Sequence, residues 1–170
     1  MKEIEIKFRV RDFKRVREKL IQLDARLDWK GLEESWFFDT PKQLLKQKKY
    51  NLRLRRWSGH KDTLTLKTKP AEEDLKYKVR NEYEIEVDDI RVACTILEHL
   101  GFKKYLRYKK YREHWLLKDA AVELDKLSGQ YFVEIEAPKK RIDELAIFLG
   151  LDWQKAEKRG YISILRDPHR

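Results

Sequence analysis

Residues 3–10 alternate strictly, with Ile4, Ile6, Phe8 and Val10 on one side and Glu3, Glu5, Lys7 and Arg9 on the other. Side chains alternate across a strand, so this stretch predicts a strand with one apolar and one fully charged face. From Phe13 the period becomes helical. Phe13, Val16, Leu20 and Leu23 form one stripe behind a candidate cap at Asp12. Alternation returns over residues 33–38 and stops at the turn signal Asp39-Thr40-Pro41, with a short helical turn expected over 43–46. Strands are predicted over 51–57 and 62–69, joined as a hairpin through Ser58-Gly59-His60. Residues 70–78 are charged and aperiodic, which predicts a mobile loop. Residues 80–87 alternate again. Asp88 or Asp89 then caps a helix carrying Ile90, Ala93, Ile96 or Leu97, and Leu100, and Gly101 ends it. Three further strands, over 103–116, 121–127 and 131–137, precede a helix opened by Pro138 and stopped by Gly150, with Ile142, Leu145, Ala146 and Leu149 inward. A last helical turn covers 160–166.

The pattern yields eight strands, with helices after the first, fifth and eighth. Each half runs strand, helix, three strands, as an internal duplication would. Short links make the sheet mostly antiparallel. Strand after strand repeats the two-faced character of the first. Arg53 and Arg55 share a face, as do Lys67 and Lys69, Lys110, Arg112 and His114, Glu123 and Asp125, and Glu134 and Glu136. The single-striped helices must cover the apolar faces. An α+β fold follows, with the helices packed outside, in a single domain over residues 1–170: in an open sheet the charged faces would meet solvent, and in an eight-stranded antiparallel β-barrel they would line a tunnel. Closure removes the sheet edges, and an interior so charged must pair, bind a metal or take an ionic ligand.

Charge sharpens this picture. Forty Lys and Arg residues stand against thirty Asp and Glu, a net charge of +10, which implies an anionic partner. The only cysteine, Cys94, excludes a disulfide framework and reads as a small core residue. No apolar run has membrane-spanning length and no signal peptide precedes the first strand, so the expectation is a soluble cytoplasmic protein with no membrane partner.

The charged rows are also sorted. Glu3, Glu5, Asp125, Glu134 and Glu136 offer hard oxygen ligands suited to magnesium or manganese. Lys7, Arg9, Arg53, Arg55, Lys67, Lys110 and Arg112 offer a cationic lining for phosphate oxygens. A metal beside a ring of cations is what phosphoryl transfer requires. The competing reading is a non-catalytic module that holds polyphosphate or RNA on the basic tunnel and surface, with Trp29, Trp36, Trp57 and Tyr108 available for stacking. The five carboxylates would repel a nucleic acid, which disfavours it as the partner. No phosphate loop, GxGxxG or HExxH is present, and His60, His99, His114 and His169 are scattered.

Glu3-Ile4-Glu5-Ile6-Lys7 has the ExExK signature of the CYTH proteins, or triphosphate tunnel metalloenzymes. These include class IV (CyaB-type) adenylyl cyclases, thiamine triphosphatases and inorganic triphosphatases. The resemblance continues through Phe38-Asp39-Thr40-Pro41, Leu52-Arg53-Leu54-Arg55, Leu64-Thr65-Leu66-Lys67, residues 80–84, Lys110-Tyr111-Arg112 and residues 129–136, in order and over essentially the whole chain. It implies an eight-stranded tunnel and a divalent-metal-dependent enzyme acting on a small triphosphate such as ATP, thiamine triphosphate or tripolyphosphate, by cyclisation or by hydrolysis. It implies Glu3, Glu5, Asp125, Glu134 and Glu136 as metal ligands. Lys7, Arg9, Arg53, Arg55, Lys67, Lys110 and Arg112, joined by Arg80 beside Glu82 and Glu84, would form the triphosphate clamp. The chemistry itself would rest on Glu3, Glu5, Lys7, Arg53, Arg55, Lys67 and Arg112. Lys158, in a segment resembling the family's C-terminal helix, is a candidate at one tunnel mouth, and a homodimer is admitted. Phe37 stands where many relatives carry tyrosine, and the 70–78 loop is unusually charged.

Overall fold

A computed structural model describes residues 2–70 and 73–167. Its elements run β1 (Lys2–Val10), α1 (Lys14–Gln22), β2 (Arg26–Asp39), α2 (Leu44–Gln47), β3 (Asn51–Trp57), β4 (Asp62–Thr68), β5 (Lys78–Val87) and α3 (Ile90–His99). They continue with β6 (Lys103–Leu117), β7 (Ala120–Leu127), β8 (Gln130–Glu136), α4 (Lys139–Leu149), a 3-10 turn (Trp153–Lys155), the short β9 (Ala156–Glu157) and α5 (Tyr161–Arg166). Each half runs strand, helix, three strands, with the short α2 inserted after β2 in the first. All pairings are antiparallel, in the order β5-β4-β3-β2-β6-β7-β8-β1.

β1 closes the barrel. One edge pairs with β8 from Glu5↔Glu136 to Val10↔Tyr131. Its other edge is shared: Lys2–Glu5 pair with Asn81–Lys78 of β5, and Lys7 and Phe8 pair with Glu157 and Ala156 of β9. Directly paired residues share a face. Carried around the barrel, the register therefore puts Glu3, Glu5 and Lys7 inside with Arg80, Lys67, Arg53, Arg112, Glu123, Glu134 and Glu136.

Outside, α1 and α4 lay Val16, Leu20, Ile142, Leu145, Ala146 and Leu149 over Ile6, Phe8, Val122, Leu124, Val133 and Ile135. Each such side chain, fully buried, contributes about 1.5–3 kcal/mol. α3 covers Phe38, Leu52 and Leu54 with Ile90 and Leu97. Asp89 caps it by accepting from Arg91 N and Val92 N. Cys94 is only partly buried at the margin of this cluster.

A third apolar cluster lies on the inward side of the barrel. Phe37, Tyr108, Leu127 and Phe132 meet Tyr161 and Ile164 of α5, which seats itself in one end of the barrel. The interior is thus divided between a polar cavity and an apolar plug.

Three local expectations are corrected. β2 begins at Arg26 rather than 33, because residues 26–32 pair along β6, with an irregularity between Leu27 and Trp29. Gly31 in this added stretch serves close approach: a Cβ there would stand 3.2 Å from that of Ser58. The segment after Pro70 is pinned where it is described. Asp74 accepts from Lys76 N at 2.7 Å and Tyr77 N at 2.8 Å, and the Tyr77 hydroxyl donates to Asp143 at 2.7 Å. Lys158, expected at a tunnel mouth, donates instead to the carbonyls of Asp74 and Leu75 at 2.8 and 2.6 Å.

Phe132, fully buried on β8, sets its ring edge-on to that of Tyr161 of α5, with centroids 5.4 Å apart. Phe132→Ala is expected to cost about 3–5 kcal/mol, read as a lower urea midpoint with an unchanged slope.

Candidate active site

The polar part of the interior is one cavity of about 1010 Å³, bounded by β1–β8 and by α5. That volume accommodates a nucleoside triphosphate. Its walls carry both signs of charge, and the pairing among them divides the site into two regions.

The first is a saturated network at the base. Lys7, 1% exposed, donates to Glu134 at 2.8 Å. Arg112 grips Asp125 with two bonds, of 2.7 and 2.6 Å, and reaches Glu134 at 2.9 Å. Lys110 donates to Asp125 at 3.0 Å and lies 3.4 Å from Glu33. The Tyr161 hydroxyl donates to Asp125 at 2.6 Å, and the Tyr161 ring lies 4.6 Å from the ammonium groups of both Lys7 and Lys110. Burial, with Asp125 and Glu134 nearby, pushes the Tyr161 phenol well above its usual range. Burial and the neighbouring Arg112 push the Lys110 ammonium down.

The second region is carboxylate-rich. Lys67 donates to both oxygens of Glu3, at 2.6 and 2.8 Å, and stands 3.3 Å from Glu82. Lys78 pairs with Glu5. Glu136 lies across from Glu5 in the register and makes no hydrogen bond or ion pair among the described residues. Burial together with Glu3 and Glu123 raises the Glu136 carboxyl to about 8, and burial with Glu5 raises Glu3 to about 7. Burial also opposes ionisation of Glu5, but Lys78, Lys7 and Lys67 hold it well below the usual carboxylate range.

Facing this region, Arg55 donates to Glu84 at 2.8 Å, and Thr65 shares the same oxygen at 2.5 Å. Arg80 lines the cavity and, among the described residues, bonds only the Val79 carbonyl, at 3.0 Å. Arg53 lines it with no hydrogen bond or ion pair among the described residues.

Of the residues singled out from sequence, Glu3, Glu5, Lys7, Arg53, Arg55, Lys67, Arg80, Lys110, Arg112, Glu134 and Glu136 line this one cavity. Two do not. Arg9 and Asp125 lie opposite Phe132 in the register, on the plug side. Arg9 bonds Gln130 at 2.7 Å beside the Phe132 ring, and Asp125 is sealed with all its partners supplied by the chain.

Sequence reasoning missed Glu33, which is fully buried. It faces Arg55 at 3.5 Å, Lys110 at 3.4 Å and Arg112 at 3.8 Å. It also missed Lys78, which was placed in the loop but belongs to β5. His114 is a hydrogen-bonding neighbour, its Nδ1 2.9 Å from Glu123.

The donor set suits a divalent ion of the magnesium type. Glu136 makes no ion pair among the described residues, and Glu3 and Glu136 are hard oxygen donors whose negative charge is costly where they stand. Among the described residues no three acidic, histidine or cysteine side chains already converge as a cage. Magnesium is commonly held by one or two carboxylates, its remaining positions going to water and substrate phosphate.

Burial raises the Glu33 carboxyl, but Lys110, Arg112 and Arg55 outweigh it and hold the group far below its ordinary value. A depressed folded-state value contributes stability above the unfolded value, about 4.3, and that contribution is lost as pH falls through the folded one. Glu33→Gln, which leaves three cations facing an uncharged group, should therefore cost about 3–5 kcal/mol at neutral pH. The gap from the parent protein should narrow progressively below about pH 4, as measured by urea denaturation across pH.

Comparison with known proteins finds relatives over almost the whole chain. A protein of Methanocaldococcus jannaschii named as a putative adenylate cyclase is 28% identical over 145 residues, spanning 85% of this chain and 81% of its own. The crystal structure of a putative adenylate cyclase from Vibrio parahaemolyticus superposes with a TM-score of 0.87 at 23% identity, covering 96% of this chain and 97% of that one. The putative adenylyl cyclase of Hippeastrum, described as having a dominant triphosphatase activity, superposes with a TM-score of 0.67 at 20% identity, covering 98% and 96%. The CYTH domain model matches residues 1–163, and the chain belongs to that family.

Proposed function

We propose that this protein is a divalent-metal-dependent enzyme that processes a triphosphate inside its tunnel. The reading is carried by one observation: a carboxylate cluster that includes Glu136 faces, within a single cavity, the guanidinium of Arg53, and neither of these two groups makes a hydrogen bond or ion pair among the described residues. Family membership supports it, since relatives carry adenylate cyclase names and the Hippeastrum protein has a dominant triphosphatase activity.

The roles of the side chains follow from where charge must be placed. Arg53 and Arg80 are free to take phosphate oxygens, Arg53 by a two-bond fork. Arg55 and Lys7 are held by Glu84 and Glu134 and present fixed positive charge to the chain of phosphates. Arg112, oriented by its double bond to Asp125, does the same from the base. Such preorganised cations stabilise charge as it accumulates on the leaving phosphate, with no reorganisation during the reaction. Magnesium or manganese held by Glu3, Glu5 and Glu136 would neutralise phosphate charge and polarise the phosphoryl oxygens.

Two reactions suit this cavity. In hydrolysis water attacks the terminal phosphorus, and the bond to the bridging oxygen breaks. In cyclisation the ribose 3′ oxygen of ATP attacks the α-phosphorus, and pyrophosphate leaves. Seating of the substrate selects between them.

Phosphorus NMR of ATP and of tripolyphosphate, each with protein and magnesium or manganese, tests the proposal. Pyrophosphate with a cyclic nucleotide identifies a cyclase, and orthophosphate identifies a hydrolase. Substrates that bind yet stay intact would overturn the proposal in favour of a polyphosphate-binding module. Arg53→Met and Glu5→Gln should each lower kcat/KM by about 10²-fold or more. Glu5→Gln should leave binding of metal-free tripolyphosphate intact or tighter.

A further inference from the structure

Lys67 and Lys78 are bound to the same carboxylates that the metal would take. Lys67 occupies both oxygens of Glu3, and Lys78 is on Glu5. Both lysines line the cavity, reaching the carboxylates from β4 and β5. Neither is tied to its place by a second strong bond: Lys67 has a looser contact with Glu82 at 3.3 Å, and Lys78 has none among the described residues. A carboxylate oxygen pair cannot hold an ammonium and a dehydrated divalent ion in the same position, so the two compete.

We infer that Lys67 and Lys78 are stand-in counterions, displaced from Glu3 and Glu5 when metal binds and thereby released to grip the triphosphate. The inference rests on the triphosphate reading above and adds to it a coupling device. Metal releases two ammonium groups for phosphate, and phosphate draws the same two groups away from the metal ligands. Each ligand then raises the affinity for the other, and linkage requires the two effects to be equal. The lysines thus have opposite effects on the two ligands. They oppose metal in the free protein and favour tripolyphosphate.

Opposite signs make the test selective. Manganese binding to the free protein, read from the paramagnetic resonance signal of unbound ion, should tighten about tenfold in Lys67→Met and in Lys78→Met. Calorimetry with tripolyphosphate in chelator should show binding weakened by a similar factor in both. Arg53→Met is the control, because it removes the same charge from the cavity without touching a carboxylate. It should change manganese affinity about twofold at most. An equal gain in Arg53→Met would reduce the effect to general charge, and unchanged or weaker manganese binding in the lysine variants would also overturn the inference.

The parent protein supplies a measurement free of folding concerns. Magnesium titration should shift the side-chain nitrogen resonances of Lys67 and Lys78 ahead of other lysines, and unmoved resonances at saturation would refute the displacement. Failure of manganese to bind any variant would overturn both this inference and the metal-dependent reading. Binding without a lysine effect overturns only this inference.

Discussion

Charge compensation away from bulk water is the constraint on which the structure depends. An isolated buried carboxylate or ammonium costs several kcal/mol even after relaxation, so the barrel can keep its charged faces inward only where each group finds an opposite. At the base of the cavity the charged groups face opposite charges, although Glu33 Oε2 accepts no hydrogen bond among the described residues. Asp125 alone receives bonds from Lys110, Arg112 and Tyr161. Towards Glu3, Glu5 and Glu136 the condition is met only in part, and two carboxyls are raised towards neutrality. The difference between these regions separates scaffold from site. Saturated charge fixes geometry, and unsaturated charge waits for a ligand.

The apolar plug gives this polarity a direction. Phe37, Tyr108 and Phe132 stand in inward-facing rows, where charged neighbours would suggest more charge, and α5 fills the space between them. The tunnel is therefore stopped at that end, and the cations nearest the stop are rigid. Tyr161 joins the two parts, with its ring against two lysines and its hydroxyl on Asp125. The aromatic face tolerates the ammonium groups through its quadrupole, so one side chain meets both apolar and cationic neighbours.

How much of this the sequence disclosed depends on what periodicity can carry. Alternation states which face of a strand a residue occupies, so the charged rows and most of the cavity wall were legible before any coordinates, while closure into a barrel rather than an open sheet was what the family resemblance added. It does not state what lies across the interior. Arg9 and Asp125 were assigned to the site by face, which is right, but the depth at which Phe132 shuts them off is a property of register and shear. Glu33 was passed over because its row continues as Ser35 and Phe37, which looks uncharged. Only the pairing of Glu33 with Lys110 across β2 and β6 reveals its partners. Lys78 was hidden by the charged stretch before it, where composition resembled a loop although β1 supplied a pairing partner. The family resemblance supplied Arg80, whose row alone left its role undecided.

The seam at which the barrel closes has a mechanical meaning as well. Among the described residues β1 meets β5 through four pairs, and Glu3 and Glu5 stand on that short join. The Glu5–Lys78 pair stitches one strand directly to the next, and the Glu3–Lys67 pair reaches over β5 to β4. The groups poised to meet a ligand are thus also the lacing of the wall's shortest closing join. Exchange of those stitches for a metal and a phosphate chain would leave the barrel hooped by its own substrate, and product departure would return the tension to the lysines.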